Sequence, residues 1–291
     1  MHFVIDGDGV LWRGGQLLPH AKEFLNFLKK KGISYSFVSN NSSLRRKSLA
    51  QKFAQMKLPF LEEDIFTTNY LAGWYLEKKY KDELILVAGS DELYEEVRSR
   101  GLDAVRVQKL LSPEIEKAPG LTVKHYLKEA LNVSPGVVLM GIDAGMNYAR
   151  LSLIIRLVQD GATFIATNRD YAYPAEEGYF LPGNGAFVEI VEGITGRDAI
   201  SLGKPERYLI ELIEEERGVK RSEMVVVGDR LDTDIYLANR LGIKSVLVLT
   251  GVSGNELKGE RKPLLAFSPT MIANDLGELI NRFDELSEGS P

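Results

Sequence analysis

Short apolar runs alternate with amphipathic helical stretches along almost the whole chain, and this rhythm restricts the fold more than any other feature. Phe3–Ile5, Ile33–Val38, Ile65–Thr67, Leu84–Val87, Val137–Met140, Thr163–Ala166, Met224–Val227 and Ser245–Leu249 read as strands. Between them Ala21–Lys30, Tyr70–Lys78 and Asp91–Arg100 read as helices. Leu49, Phe53 and Met56 fall at i, i+4 and i+7 on one helical face, and Leu151, Ile154, Ile155 and Val158 form another. Pro205 suits the first position of a further helix that buries Leu209, Leu212 and Ile213, and Thr233 reads as the cap of the next one. Alternation of this kind is the signature of βα units around a parallel sheet. It restarts near Lys81, so residues 81-179 read as a separate small α/β domain.

Several classes of chemistry are excluded by what the 291 residues lack. There is no cysteine, which rules out disulfides, thiolate metal sites and thiol nucleophiles. Three scattered histidines, His2, His20 and His125, are too few for a histidine-ligated metal cluster. Neither Gly-x-Ser-x-Gly nor a Walker Gly-Lys-Ser/Thr is present. Nucleophilic chemistry therefore falls to carboxylates, hydroxyls or lysine. A net charge of −5 argues against a nucleic-acid binder, and no apolar run reaches membrane-span length. Met1–Ile5 reads as a core strand rather than a secretion signal, so the expected location is cytoplasmic.

Carboxylates do appear where a parallel sheet binds ligands. Phe3-Val4-Ile5 runs into Asp6-Gly7-Asp8-Gly9, and in extended backbone Asp6 and Asp8 point to the same side. Two crowded acids call for a cation or a shared proton. The second strand closes on Ser39-Asn40-Asn41, Lys204 precedes Pro205, and Met224–Val227 ends in Gly228-Asp229 with Asp232 and Asp234 close behind. Gathered at one sheet edge, these residues offer carboxylates for a hard cation such as Mg2+, plus a lysine and a hydroxyl/amide loop for phosphate. That combination points to metal-assisted phosphoryl transfer.

In this order the residues resemble the haloacid dehalogenase-like phosphatase superfamily. Its four motifs correspond here to Asp6-Gly7-Asp8-Gly9-Val10, to Ser39 in Phe37-Val38-Ser39-Asn40-Asn41, to Lys204 in Gly203-Lys204-Pro205, and to Gly228-Asp229-Arg230-Leu231-Asp232-Thr233-Asp234. Val10-Leu11-Trp12-Arg13-Gly14, Ala166-Thr167-Asn168-Arg169-Asp170 and Leu181-Pro182-Gly183-Asn184-Gly185 are similar to the NagD / 4-nitrophenylphosphatase group, which includes phosphoglycolate and pyridoxal phosphate phosphatases. The resemblance implies a Rossmann-like doubly wound parallel sheet core, residues 1-80 and 180-291, with an α/β cap inserted at 81-179.

It also implies roles. Asp6 would be the nucleophile, forming an aspartyl-phosphate, and Asp8 the general acid and base. Mg2+ would bind Asp6, the Asp8 carbonyl and Asp229, with Asp234 in support. Ser39, the backbone of Asn40 and Asn41, and Lys204 would hold the phosphate. Tyr173 matches a cap position that reaches toward substrate in relatives, while Asn168 and Asp170 read either as hinge hydrogen-bonders or as substrate contacts. Trp12 and Arg13 read either as cover for the site or as a packed aromatic and a solvated charge. The expected activity is a phosphomonoesterase acting on small phosphorylated metabolites. A phosphotransferase or phosphomutase on the same scaffold, and a phospho-accepting receiver-like module, are the alternatives. By analogy, a homodimer would form through the cap.

Overall fold

The computed structural model describes residues 1–111, 133–174, 179–254 and 268–288. In chain order its strands are β1 (His2–Asp6), β2 (Trp12–Arg13), β3 (Gln16–Leu17), β4 (Ser34–Ser39), β5 (Ile65–Thr67), β6 (Ile85–Ala88), β7 (Ala104–Arg106) and β8 (Val137–Met140). They continue with β9 (Thr163–Ala166), β10 (Ala172–Pro174), β11 (Phe180–Pro182), β12 (Ile200–Ser201), β13 (Met224–Gly228), β14 (Lys244–Val248) and β15 (Met271–Ala273). His125 lies outside the described residues.

The chain divides into two compact units. One comprises Met1–Ser39, Arg46–Phe66 and Lys204–Pro291, the other Asn40–Arg45 and Thr67–Gly203. Each is built on its own sheet. In the first, the order is β15-β14-β13-β1-β4-β5, and β1 runs parallel to both β13 and β4. Phe3, Val4 and Ile5 are buried, as are Val225, Val226 and Val227 beside them, which is why these strands read as unbroken apolar runs. Phe3 packs edge-on against Phe24 of the helix Ala21–Lys30. Phe37, Phe53 and Phe60 fill the space beyond β4, with ring centroids 4.9 to 5.8 Å apart.

The second unit holds a five-stranded sheet, β12-β9-β8-β6-β7, all of whose pairings are parallel. Its limits differ from the expected 81-179. The helix Thr68–Lys79 belongs to it because Arg100 stacks over the Tyr70 ring and pairs with Glu77 at 2.9 Å. Residues 180–203 belong to it because β12 pairs with β9 and β11 pairs with β10, while the Asn184 side-chain amide donates to the Met140 carbonyl. Cross-strand hydrogen bonds join residues far apart in sequence, so the rhythm of the chain alone places such limits poorly.

Three local expectations shift as well. The helix expected from Pro205 begins at Tyr208, and residues 203–207 form turns with a cis Lys204–Pro205 peptide. Thr233 does not cap a helix. It lies inside a wide helical turn, Leu231–Ile235, that leads into Tyr236–Leu241. The hairpin β2–β3, closed by Gly14 and Gly15 at positive φ, was not foreseen.

His2 occupies an unusual place for a titratable group. It is fully buried in β1, with its ring nitrogens 2.8 Å from Ser34 Oγ and 2.9 Å from Ser36 Oγ. Burial lowers its pKa from 6.5 to about 4, helped by the charges of Arg217 and the N-terminus. The unfolded chain takes up this proton near 6.5 and the folded one only near 4. Stability from the neutral ring is therefore complete above about pH 6.5 and falls as pH drops toward 4, by at most about 3 kcal/mol. Urea midpoints at pH 7 and pH 4.5 should differ more for the wild type than for His2→Asn. Equal differences would show that the ring titrates alike in both states.

Candidate active site

The first sheet reverses its winding between β13 and β1. The chain adds β4 and β5 on one side of β1 and β14 and β15 on the far side of β13. At such a switch point the loops diverge and leave a crevice at the carboxyl ends of the strands. Asp6 ends β1 and Asp229 directly follows β13, so the two central strands deliver both acids to that crevice. Ser39 ends β4, one residue past the Val38 that is in register with Asp6.

Lys204 is the centre of the cluster. Its Nζ lies 2.5 Å from Asp6 Oδ1 and 2.7 Å from Asp234 Oδ1, and both Lys204 and Asp234 are buried. Carboxylate oxygens of Asp6, Asp229 and Asp234 all lie within 4.8 Å of one another. Burial opposes the charge on Lys204, but Asp234 and Asp6 outweigh it and push the ammonium's pKa upward. Burial, against the pull of Lys204 and with Asp234 and Asp229 adding to it, raises Asp6 to about 8. Asp229 rises to about 6 through burial and the nearby Asp234, offset in part by the Val252 amide. With all three ionised, three carboxylates around one ammonium would leave two negative charges unbalanced, the charge of one divalent cation.

The Asp8 loop is clamped from beneath. Backbone amides of Val10, Leu11 and Trp12 all donate to the Gly7 carbonyl. Trp12 is buried, its ring 5.4 Å from Phe37 and 5.6 Å from Phe53. Of the two readings of Trp12, the packed aromatic is the one observed, and its side chain also hydrogen-bonds Asp8. Asp8 itself is exposed. Partial desolvation by the surrounding atoms still raises the pKa of its carboxyl, countered by the ammonium of Lys52, which stands over the Trp12 ring. Lys52 escaped the sequence reading because no motif marks it: it reaches Asp8 from the helix Arg46–Met56 only through tertiary folding. Arg13 is exposed and donates to the Thr250 carbonyl, and Thr250 Oγ1 donates to the Gly9 carbonyl at 2.5 Å.

Asn40 and Asn41 belong to the second unit, as does Tyr173, which is 38% exposed on β10. Asp232 forms an exposed pair with Arg230 at 2.7 Å and takes no part in the acidic cluster. Asp234 has one oxygen on Lys204 and the other 3.3 Å from the Arg230 amide, so it is held on both sides.

The donor set suits a hard divalent metal, since every candidate ligand is a carboxylate oxygen. Asp229 is seated for the purpose. The Val252 amide donates to its Oδ2 at 2.7 Å, and a side chain at Gly9 or Gly251 would overlap its carboxylate. These two glycines form a cradle that any Cβ would fill. Gly251→Ala should keep a cooperative melt yet weaken divalent-metal binding at least about tenfold, since displaced ligands cost about 1–3 kcal/mol each. Calorimetric titration checks this, and unchanged affinity would show that Asp229 is not a ligand.

Residues 3–103 match the family model described as haloacid dehalogenase-like hydrolase, and residues 201–279 match the one described as HAD-hydrolase-like. Phosphoglycolate phosphatase 1A from Arabidopsis thaliana is 32% identical over 255 residues, covering 86% of this chain and 69% of its own. Human glycerol-3-phosphate phosphatase is 34% identical over 259 residues, covering 86% of this chain and 79% of its own. Among solved structures, p-nitrophenyl phosphatase from Archaeoglobus fulgidus superposes with a TM-score of 0.82 at 25% identity, covering 96% of this chain and 98% of its own. The chain belongs to the haloacid dehalogenase-like hydrolases and is a phosphatase of that family.

Proposed function

We propose that the protein is a Mg2+-dependent phosphomonoesterase acting on small phosphorylated metabolites through an aspartyl-phosphate on Asp6. The observation that carries this reading is the Lys204 ammonium bridging Asp6 and Asp234 beside Asp229, at the switch point of the first sheet. Asp6 presents one oxygen to Lys204 and keeps the other to attack phosphorus. As the bond to phosphorus forms, the bond to the leaving alkoxide breaks, and Asp8 donates the proton that makes it an alcohol. Asp8, now a carboxylate, takes a proton from the water that attacks phosphorus, and the Asp6–phosphorus bond breaks to free phosphate. Exposure lets Asp8 reach both leaving group and water, and its raised pKa favours the protonated form it needs first.

Asp6, the Asp8 carbonyl and Asp229 would hold Mg2+, which supplies charge neutralisation at the transferring phosphoryl group. Asp234 orients Lys204 rather than binding metal directly, since Lys204 takes one of its oxygens and the Arg230 amide the other. Ser39 and the Asn40 and Asn41 amides that follow it would grip phosphate oxygens, with Tyr173 as a substrate contact from the second unit. The relatives named above act on phosphoglycolate and glycerol 3-phosphate, both small phosphomonoesters, and this supports the same substrate class here. The reading includes a homodimer through the second unit, whose Tyr171, Tyr179 and Phe180 are exposed. Among the described residues, no helix is long and apolar enough to cross a membrane.

Hydrolysis of 4-nitrophenyl phosphate should require Mg2+, stop with EDTA, and fall at least about a thousandfold in Asp6→Asn. Activity surviving in that variant would remove Asp6 as nucleophile. Because Asp6 takes up a proton below about pH 8, Mg2+ affinity of the resting enzyme should climb with pH and level off above about 8. A flat affinity between pH 6 and 9 would exclude Asp6 as a metal ligand.

A further inference from the structure

The second unit has a switch point of its own, and the chain itself fills it. Its sheet adds β7 on one side of β6 and β8, β9 and β12 on the other, so the winding reverses between β6 and β8. The crevice at those carboxyl ends is where an open α/β sheet takes a ligand. Here it takes residues 40–45, the segment that follows Ser39. Ser42 is buried. Its carbonyl accepts from Ser90 Oγ at 3.0 Å, just past β6, and its Oγ accepts from the Ile142 amide at 3.2 Å, just past β8. The Asn40 carbonyl accepts from Asn168 Nδ2 at 2.5 Å, just past β9, and from Thr68 Oγ1 at 2.9 Å. Asn69 Nδ2 reaches the Leu44 carbonyl at 3.4 Å.

We propose that Asn168 and Thr68 are positioning residues for phosphate recognition: they hold residues 40–45 as a built-in ligand of the second sheet and thereby aim the Asn41 amide. The inference rests on the proposed role of the Asn40 and Asn41 amides in gripping phosphate. In a trans peptide the C=O and N–H point in opposite directions. A carbonyl with two donors on it cannot rotate freely, so fixing the Asn40 oxygen fixes where the Asn41 N–H points. The Asn41 side chain is turned forward, its Oδ1 accepting from the amide and hydroxyl of Ser43 at 2.7 and 2.5 Å.

The chemistry of Asn168 is specific. It is 5% exposed, its NH2 is spent on the Asn40 carbonyl, and its Oδ1 has no hydrogen-bond partner among the described residues. Asn184 steadies it by donating to its backbone carbonyl at 2.9 Å. The donor is therefore the useful half of the side chain, and an aspartate of the same shape would lose it. Amide donors already aimed at the phosphate bind it without a further cost of ordering, in a bound ester and in inorganic phosphate alike.

The test compares Thr68→Val, Asn168→Asp and the double variant with wild type. The readouts are the inhibition constant for inorganic phosphate, KM and kcat for 4-nitrophenyl phosphate, and the melting midpoint. Each lost donor should raise the phosphate inhibition constant and KM about threefold to tenfold, the range of one net hydrogen bond, with a smaller change in kcat. Thr68→Ser, which keeps the hydroxyl, should restore wild-type values. A variant that melts earlier but binds phosphate as wild type does would reduce these residues to structural supports and overturn the proposal. If Asn168→Asp does not fold, the isosteric Thr68→Val with its serine rescue decides alone. Ser39→Ala separates the two levels. If it weakens phosphate inhibition while Thr68→Val does not, the positioning role fails; if Ser39→Ala leaves inhibition unchanged, the phosphate-gripping reading fails and takes this one with it.

Discussion

A buried ammonium between two carboxylates is the interaction around which the acidic cluster of this protein is organised. Lys204 meets Asp6 and Asp234 where neither it nor Asp234 is open to solvent. Such a group is costly to bury and destabilising to break, because removing the lysine would strand three acids together. Were all three acids ionised, one ammonium would leave a deficit of positive charge at the ends of β1 and β13. On the proposed reading a divalent cation would answer that deficit, and a phosphoryl group would be drawn to the lysine and metal together.

The scaffold keeps those charges in place with apolar packing directly beneath them. Trp12 sits on Phe37 and Phe53, and Gly7 lies against the same ring so closely that any side chain there would collide with it. The loop bearing Asp8 is thus a continuation of the core rather than a free surface turn. Asp229 is fixed in the same manner from the other side, by the Val252 amide and by the absence of side chains at Gly9 and Gly251. Rigid support of this kind is what lets an acid act at a defined distance from phosphorus.

The second unit repeats the architecture of the first and uses its switch-point crevice differently. Where the first sheet gathers charged groups, the second gathers neutral hydrogen-bonding ones, Ser90, Asn168 and Thr68, around main-chain carbonyls of residues 40–45. Neutral donors suit a peptide ligand that never leaves. The segment they hold begins immediately after Ser39, so the two sheets share one continuous stretch of chain.

Much of the candidate site was legible because its residues sit at strand ends, and buried parallel strands announce themselves as apolar runs. Of the clustered residues, Asp6 and Asp229 are marked that way, and Lys204 and Asp234 by motif order. Lys52, Gly251 and the Val252 amide were not legible, since each acts on an acid distant in sequence. The unit limits at Thr67 and Gly203 were missed for the same reason: hydrogen bonds from Asn184 and the pairing of β12 with β9 decide them. By itself the sequence determined the βα rhythm, the identity of the acids and their order along the chain, because local burial and side-chain chemistry are written residue by residue. Only the tertiary structure decided which charge faces which, that Lys204 lies between Asp6 and Asp234 and that residues 40–45 belong with the second sheet. Those outcomes depend on distances across strands, and no local pattern encodes them.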